Sequence, residues 1–536
     1  MNDERQSTIN ILWLIALVLF TPVVGLLLNA EAFVVRSMLL LMVWAVVLLT
    51  PYLLTKKKWL YITAASLLFL DGFINLFHWI VLKCPLNASS IFVFLNTNIN
   101  EASEFMAIKT TPLLLLFIPY IVLFVLTLKH IPQFSFRSRG EIIIWSALWL
   151  FVAVFFTDNI IHQRFLRLAV PDVERAFVSF FEESKEYKNL KTRPLYSLDT
   201  RLVSNDSTLV VVIIGESCNR NHLSLYGYNR ETSPRLQSRN DILVFDNVIS
   251  ANSNTLRSVM NFLTESNIDH PLQLDVCTHI FDILHSSPYK SYWLSNQSPI
   301  GLWDNGVTSL AQNADVKQFV NITANSSKES TMTISLDQRL FDPLQTALND
   351  TAKHKVVFLH LMGNHTEYKK RYPNAFNMFE EKGDKRTRII NTYDNSIFYN
   401  DFIIDSILTM LDGYSLAHSG VRISTLYFSD HGENLFDEGD YAGHDYSNHI
   451  PNANVEIPFI LWFSPSQKDY LDTHNLPIEQ RLHTPYMIDD LFHTLLDLCG
   501  IETPSFNPTR SFINPTYDST RPRIIENGEI YSHEGN

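Results

Sequence analysis

Cysteine is scarce in this chain: Cys84, Cys218, Cys277 and Cys499 are the four in 536 residues, widely spaced and with no CxxC pair. A disulfide-rich scaffold and a thiolate metal site are thereby excluded, and the cysteines read as small buried apolar residues. Positive charge is also short. Lys and Arg total 42 against 55 Asp and Glu, a formal net charge of -13. No long basic stripe occurs, so a nucleic-acid partner is set aside: a phosphate backbone demands a basic surface. Internal repeats and low-complexity tracts are missing. The first apolar stretch has no basic leader and is followed by more such stretches, so no cleavable signal peptide is expected.

The chain is long for one core, and at least two domains are expected. Hydrophobic residues make up 46% of it and crowd into the first third. Five apolar stretches, 11–28, 38–54, 59–82, 112–128 and 142–160, approach the roughly 20 residues that a helix needs to cross a hydrocarbon core. Lys56, Lys57 and Lys58 follow the second; Lys129, Arg137 and Arg139 follow the fourth. Basic loops stay cytoplasmic, so five crossings put the N-terminus inside and everything past residue 160 outside. Asp71 and His78 in the third stretch read as an internal polar pair.

Four regions are predicted: a transmembrane domain over 1–161, an amphipathic bridge over 162–205, a catalytic domain over 206–515 and a loosely ordered polar tail over 516–536. The bridge carries Phe165, Leu166, Phe177, Phe180 and Phe181 for a membrane surface. In the catalytic domain, strands over 208–214, 242–248, 356–361, 421–428 and 457–463 alternate with helices over 387–411 and 485–499. That alternation implies a mostly parallel α/β sheet flanked by helices, with its site at the carboxyl ends of the strands.

Two apolar runs end in metal-type ligands: 210–214 runs into Gly215-Glu216, and 426–428 runs into Ser429-Asp430-His431-Gly432-Glu433. Glu216, Asp430 and His431 supply oxygen and nitrogen donors, and a catalytic zinc keeps its fourth position for water, substrate or nucleophile. A hydroxyl held by such a cation loses its proton near neutral pH and attacks phosphorus. The hydroxyl-rich segment 247–259 offers Ser253, Thr255 and Ser258, and residue chemistry does not choose among them. His365, after an apolar strand, and His444 are candidates to bind a phosphate, hold a second metal or protonate a leaving alkoxide.

Gly215-Glu216-Ser217, Asn219-Arg220, Leu225-Tyr226-Gly227-Tyr228, Phe245-Asp246-Asn247-Val248, Gly363-Asn364-His365, Tyr393-Asp394-Asn395-Ser396-Ile397 and Ser429-Asp430-His431-Gly432-Glu433 together resemble the phosphoethanolamine transferases of Gram-negative bacteria. The likeness runs along nearly the whole chain. It implies a five-helix transmembrane domain joined to a periplasmic domain of alkaline-phosphatase and sulfatase fold. It further implies an inner-membrane enzyme, monomeric, that moves phosphoethanolamine from phosphatidylethanolamine to lipid A or a lipopolysaccharide core sugar. By the resemblance Thr255 is the nucleophile, and Glu216, Thr255, Asp430 and His431 hold one zinc ion or two. His365 and His444 meet the substrate, with His449 the alternative to His444, and Thr97 and Glu101 contact the headgroup.

Departures are present. The family's cysteine staples are missing, and the segment 303–315 shows no counterpart to a further set of headgroup contacts. These place the chain in a cysteine-poor branch. Three rivals compete on the same fold: a phosphodiesterase or sulfatase, a glycerol-phosphate transferase, and a membrane receptor with a degenerate enzyme domain. The 247–259 segment lacks the proline of a sulfatase Cys/Ser-x-Pro-x-Arg signature. Ser217 is no esterase nucleophile, since Asn219 stands where the elbow needs glycine; it reads as a hydroxyl at a helix start.

Overall fold

The computed structural model describes residues 2–29, 32–81, 86, 91, 94, 111–132, 139–161, 169–297, 306–321, 335–444, 450–474, 476 and 478–532. The chain separates into two compact units, one built mainly from residues 1–184 and the other from 185 onward.

In the first unit, helices cover all five apolar stretches: α1 (Asn2–Asn29), α2 (Ala32–Thr55), α3 (Lys58–Val81), α4 (Phe117–Lys129, led by a 3-10 turn from Pro112) and α5 (Arg139–Ile161). Three of the described helical segments are long and apolar enough to cross a membrane, Ile9–Leu27, Lys58–Val81 and Pro112–Lys129; the apolar parts Leu40–Thr55 and Trp145–Thr157 are shorter. Against the expectation of five spans stand five helices, of which three contain described segments of spanning length. Helix α1 packs on α2, α3 and α4, and hydrogen bonds tie some of the polar groups inside the bundle, where no water can serve them. Thr127 Oγ1 donates to Trp13 O at 3.2 Å, and Asn75 Nδ2 donates to Asp71 Oδ2 at 3.2 Å. Asp71 thus meets Asn75, one turn on in the same helix.

Helix α6 (Asp172–Thr192) lies within the expected bridge. Phe177 and Phe181 are exposed and Phe180 is buried; Phe165 and Leu166 lie outside the described residues. Just past it, buried Arg193 forks onto Asp282, at 2.8 and 2.7 Å.

The second unit is a seven-stranded sheet: β1 (Thr208–Gly215), β2 (Ile242–Phe245), β3 (Tyr289–Ser295), β4 (Val316–Phe319), β5 (His354–His360), β6 (Arg422–Ser429) and β7 (Phe459–Phe463), in the spatial order β2-β7-β6-β1-β5-β3-β4. All neighbours are parallel except β7, which runs against both β2 and β6. Every residue of β1 is buried, which is why its sequence is a continuous β-branched run rather than an alternation. Leu209, Val211 and Ile213 share a core with Tyr399, Ile403, Ile407 and Leu411 of α8 (Lys385–Ala417). The opposite face packs on α7 (Thr255–Phe262) and α9 (Leu491–Cys499), with Phe262 edge-on to Phe428 at 5.0 Å. Cys218, Cys277 and Cys499 are free and buried.

Two strands escape the sequence reading, β3 and the edge strand β4. The tail is the other difference. Instead of hanging loose, 516–532 is pinned: Arg521 reaches Asp489 at 2.9 and 2.7 Å and Asp490 at 2.6 Å, and Ile525 and Tyr531 enter a small core with Ile249, Val455 and Met487. Its polarity reflects the ion pairs it makes.

Candidate metal centre

Register builds the centre. In the parallel ladder Gly215 lies opposite Ser429, and Ile214 lies opposite both Phe428 and His360, so the residues that follow β1, β6 and β5 emerge side by side. Asp430 N donates to Gly215 O at 3.1 Å and Asn364 N to Glu216 O at 2.9 Å. Two glycines permit this crowding. A Cβ on Gly363, which sits at φ +52, would lie 2.8 Å from Glu216 N, and one on Gly432 would lie 2.1 Å from Ala453 O.

Glu216, Asp430 and His431 each offer one ligand atom, all within 4.8 Å of one another, and all three are buried. His431 Nε2 is 3.3 Å from Glu216 Oε1 and 3.7 Å from Asp430 Oδ2. Its other nitrogen, Nδ1, donates to Gly432 O at 2.8 Å, and a carbonyl can only accept. Nε2 therefore carries the lone pair in the neutral ring and turns it toward two carboxylates. Such an arrangement is repulsive unless a proton or a cation lies at its centre. Asp430 Oδ2 is buried without a hydrogen-bond partner, an arrangement that is costly unless something occupies that lone pair. Burial first, then the Glu216 charge, pushes the Asp430 carboxyl above the usual carboxylate range. Burial works the same way on Glu216, but the His431 hydrogen bond and charge overcome it and hold that carboxyl low. The donor set fits a small divalent cation of the zinc type, with two oxygens and one nitrogen.

Of the three hydroxyls left open by the sequence, the structure brings one to this cluster. Thr255 Oγ1 donates to Glu216 Oε2 at 3.0 Å and lies 3.4 Å from His431 Nε2. Ser258 Oγ instead donates to Asp430 O at 2.6 Å, and Ser253 Oγ donates to Glu526 Oε1. Thr255 is the first residue of α7, whose N-cap Asn254 accepts from Arg257 N.

His444 joins the cluster, its ring centroid 4.3 Å from that of His431, and its Nδ1 contacts buried Glu433 Oε2 at 2.6 Å. His365 follows the Gly363-Asn364 turn, whose Asn364 N donates to Glu216 O. His449, Thr97 and Glu101 lie outside the described residues, as do 303–305; Gly306–Ala311 is a short buried helix.

Two features are legible only in the structure. Gln297 Nε2 reaches Glu216 Oε2 at 3.4 Å, from the end of the unforeseen β3. The Tyr393-Asp394-Asn395-Ser396 run on α8 serves the site as scaffold. Tyr393 OH donates to Ser217 O at 2.7 Å and accepts from Asn219 N at 2.8 Å, while Asn364 Nδ2 donates to Ser396 Oγ at 2.7 Å. Ser217 is held at φ +54, a conformation costing about 1 to 3 kcal/mol, and its hydroxyl donates to Glu216 Oε1 at 2.7 Å. It is not at a helix start; Asn219 caps the following turn.

A mostly parallel sheet that gathers three candidate metal ligands and a hydroxyl at its strand tips defines the class of this protein as an α/β domain with a candidate metal centre. The chain belongs to the sulfatase family, whose model matches residues 208–501, more than half of its length. Among curated proteins it is similar to the phosphoethanolamine transferase EptC of Escherichia coli strain K12, 26% identical over 476 residues, covering 83% of this chain and 80% of that one. Its structure is similar to the C-terminal periplasmic domain of EcEptC from Escherichia coli in complex with Zn, with a TM-score of 0.56 at 28% identity over 62% of this chain and 93% of that one. The integral membrane EptA of Neisseria meningitidis shares the fold, with a TM-score of 0.62 at 19% identity over 95% of this chain and 97% of that one. The resemblance to phosphoethanolamine transferases carried by the sequence motifs is thus matched by relatives of that name.

Proposed function

We propose that this chain is a membrane-anchored phosphoethanolamine transferase, taking the group from phosphatidylethanolamine and passing it to a hydroxyl of lipid A or a lipopolysaccharide core sugar at the periplasmic face of the inner membrane. The observation that carries the proposal is the approach of Thr255 Oγ1 to Glu216 Oε2 and His431 Nε2, at 3.0 and 3.4 Å, in a chain similar to EptC along most of its length.

Glu216, Asp430, His431 and Thr255 would hold zinc, one ion or two. Bound there, zinc supplies positive charge that eases loss of the Thr255 proton and offsets charge on the phosphoryl oxygens. Thr255 Oγ1 gives up its proton, with Glu216 Oε2 in place to receive it, and bonds to phosphorus. The bond from phosphorus to the diacylglycerol oxygen breaks in line, and that oxygen leaves with a proton. His444 is placed to donate it as the imidazolium: Nδ1–H is committed to Glu433, and the second proton, on Nε2, is the one transferred. The acceptor hydroxyl then gives its proton to His444 Nε2 and bonds to phosphorus; the bond from phosphorus to Thr255 Oγ1 breaks, and Thr255 regains its proton from Glu216. His365 contacts the phosphoryl group, and Thr97 and Glu101 receive the headgroup ammonium.

The test incubates the full-length protein in detergent with labelled phosphatidylethanolamine or phosphatidylglycerol, and analyses lipid A and core oligosaccharide separately from cells with and without the gene. Phosphoethanolamine added to one glycan only when the gene is present is the expected result. Use of phosphatidylglycerol alone, or release of free phosphoethanolamine without transfer, replaces it with one of the rivals on the same fold.

A further inference from the structure

Every polar contact the structure gives Glu526 goes to the residues just ahead of Thr255. Its backbone N donates to Ala251 O at 3.0 Å. Oε1 accepts from Ser253 N at 2.9 Å and from Ser253 Oγ, and Oε2 accepts from Asn254 Nδ2 at 3.3 Å. Asn254 is the N-cap of α7, and its Oδ1 accepts from Arg257 N at 3.1 Å. A side-chain amide has one accepting and one donating end, so a carboxylate that takes the NH2 fixes which end faces the helix. Glu526 thereby sets the cap, and the cap sets the first helical residue.

The residues around Glu526 are themselves anchored on both sides. Arg521 is held by Asp269, Asp489 and Asp490, Arg523 Nη1 donates to Asn247 Oδ1 at 2.7 Å, and Tyr531 OH donates to Glu456. A surface tail with no task has no physical need for so many ion pairs, two of whose partners, Asp489 and Asp490, are buried. The geometry points to Glu526 as a positioning residue for Thr255: a C-terminal strap clamps the loop 251–254 so that the Thr255 hydroxyl stays on Glu216. This inference rests on the reading of Thr255 as nucleophile.

The experiment compares Glu526→Gln, Glu526→Ala and Ser253→Ala with the wild type, full-length in detergent. Displacing a reacting group by about an ångström costs up to a hundredfold in rate. Glu526→Ala is expected to lower kcat about 30-fold and Glu526→Gln, whose Oε1 still accepts from Ser253, about fivefold, with KM for phosphatidylethanolamine within about twofold of the wild type. Zinc content should match the wild type in each. Backbone hydrogen exchange over 249–258, measured without donor, should quicken by about tenfold or more in Glu526→Ala. Wild-type kcat in Glu526→Ala overturns the inference, as does unchanged exchange in the loop. A raised KM at constant kcat also overturns it, by making Glu526 a headgroup contact. Should Glu526→Ala not fold, unchanged kcat and exchange in both Glu526→Gln and Ser253→Ala give the same negative answer. A wild type inert toward phosphatidylethanolamine removes the proposed function, whereas the exchange data still decide whether Glu526 clamps the loop.

Discussion

His444 Nδ1 donates to Glu433 Oε2 across 2.6 Å, and the far oxygen of that carboxylate accepts from Tyr368 OH. The imidazole is therefore held in one tautomer by a buried acid that is itself held. If His444 and Glu433 act as a unit, their substitutions are not additive. Glu433→Gln is expected to lower turnover about tenfold and His444→Ala about a hundredfold, and the double variant should be no slower than His444→Ala alone. Rates of donor turnover for the three proteins check this. Multiplying losses would separate the two residues.

Thr255→Ala is expected to lower transfer by about a thousandfold or more while the protein melts as the wild type does. Ser258→Ala should behave oppositely. Its hydroxyl bonds the Asp430 backbone, so its loss costs about 1 kcal/mol of stability and touches rate only indirectly. Mass spectrometry of donor-treated protein should place a phosphoethanolamine adduct on the peptide containing Thr255; an adduct mapped to Ser253 or Ser258 reassigns the nucleophile.

Asp430→Asn is expected to release the metal without unfolding the sheet, because the buried Oδ2 lacks any other partner and the amide is isosteric. Elemental analysis of the purified protein should show zinc lost in Asp430→Asn and retained in Ser258→Ala. Since an ion bound only by the folded state stabilises it, chelation should lower the wild-type melting temperature and leave that of Asp430→Asn unchanged. Equal melting shifts in both proteins would refute a site at Asp430.

How much of this was written in the sequence depends on the range of the interactions. The strand β1 was readable because burial on both faces leaves a run of β-branched residues, and Asp430-His431 because they follow a second such run. β4 was not, since a short edge strand buries too little to leave a pattern: Lys317 and Gln318, adjacent in it, are both exposed. The choice among Ser253, Thr255 and Ser258 needed three dimensions or a family resemblance, since hydroxyls two or three residues apart differ only in what they face. Glu526 gave no local signal at all; it acts on Asn254 through a chain reversal that composition cannot encode, and its polar surroundings imitate a disordered tail. Tyr393 to Ser396 belong to the family-like motifs, but their role as a scaffold emerges only from Ser217, Asn219 and Asn364 across the fold.

The same helix face predicts a pH dependence of stability away from the metal cluster. His222 is buried with Nδ1 2.8 Å from Asp394 Oδ1 and Nε2 3.6 Å from Asp437 Oδ1. Burial alone would lower its pKa, but the hydrogen bonds and charges of the two carboxylates win and raise it to about 9. A cation that is bound more tightly in the folded state stabilises that state wherever the ring is charged when folded. The contribution is thus full below the unfolded pKa near 6.5 and is lost as pH rises through about 9, the opposite sense from a paired carboxylate. The rise from 6.5 to about 9 corresponds to at most roughly 3.5 kcal/mol. Melting temperatures of the full-length protein between pH 6 and pH 10 should therefore fall more steeply for the wild type than for His222→Gln, which keeps a donor to Asp394 but cannot titrate. Parallel curves for the two proteins would mean that His222 is already neutral in the fold, and that Asp394 is served by Arg230 and Tyr228, at 2.7 and 3.1 Å, without it.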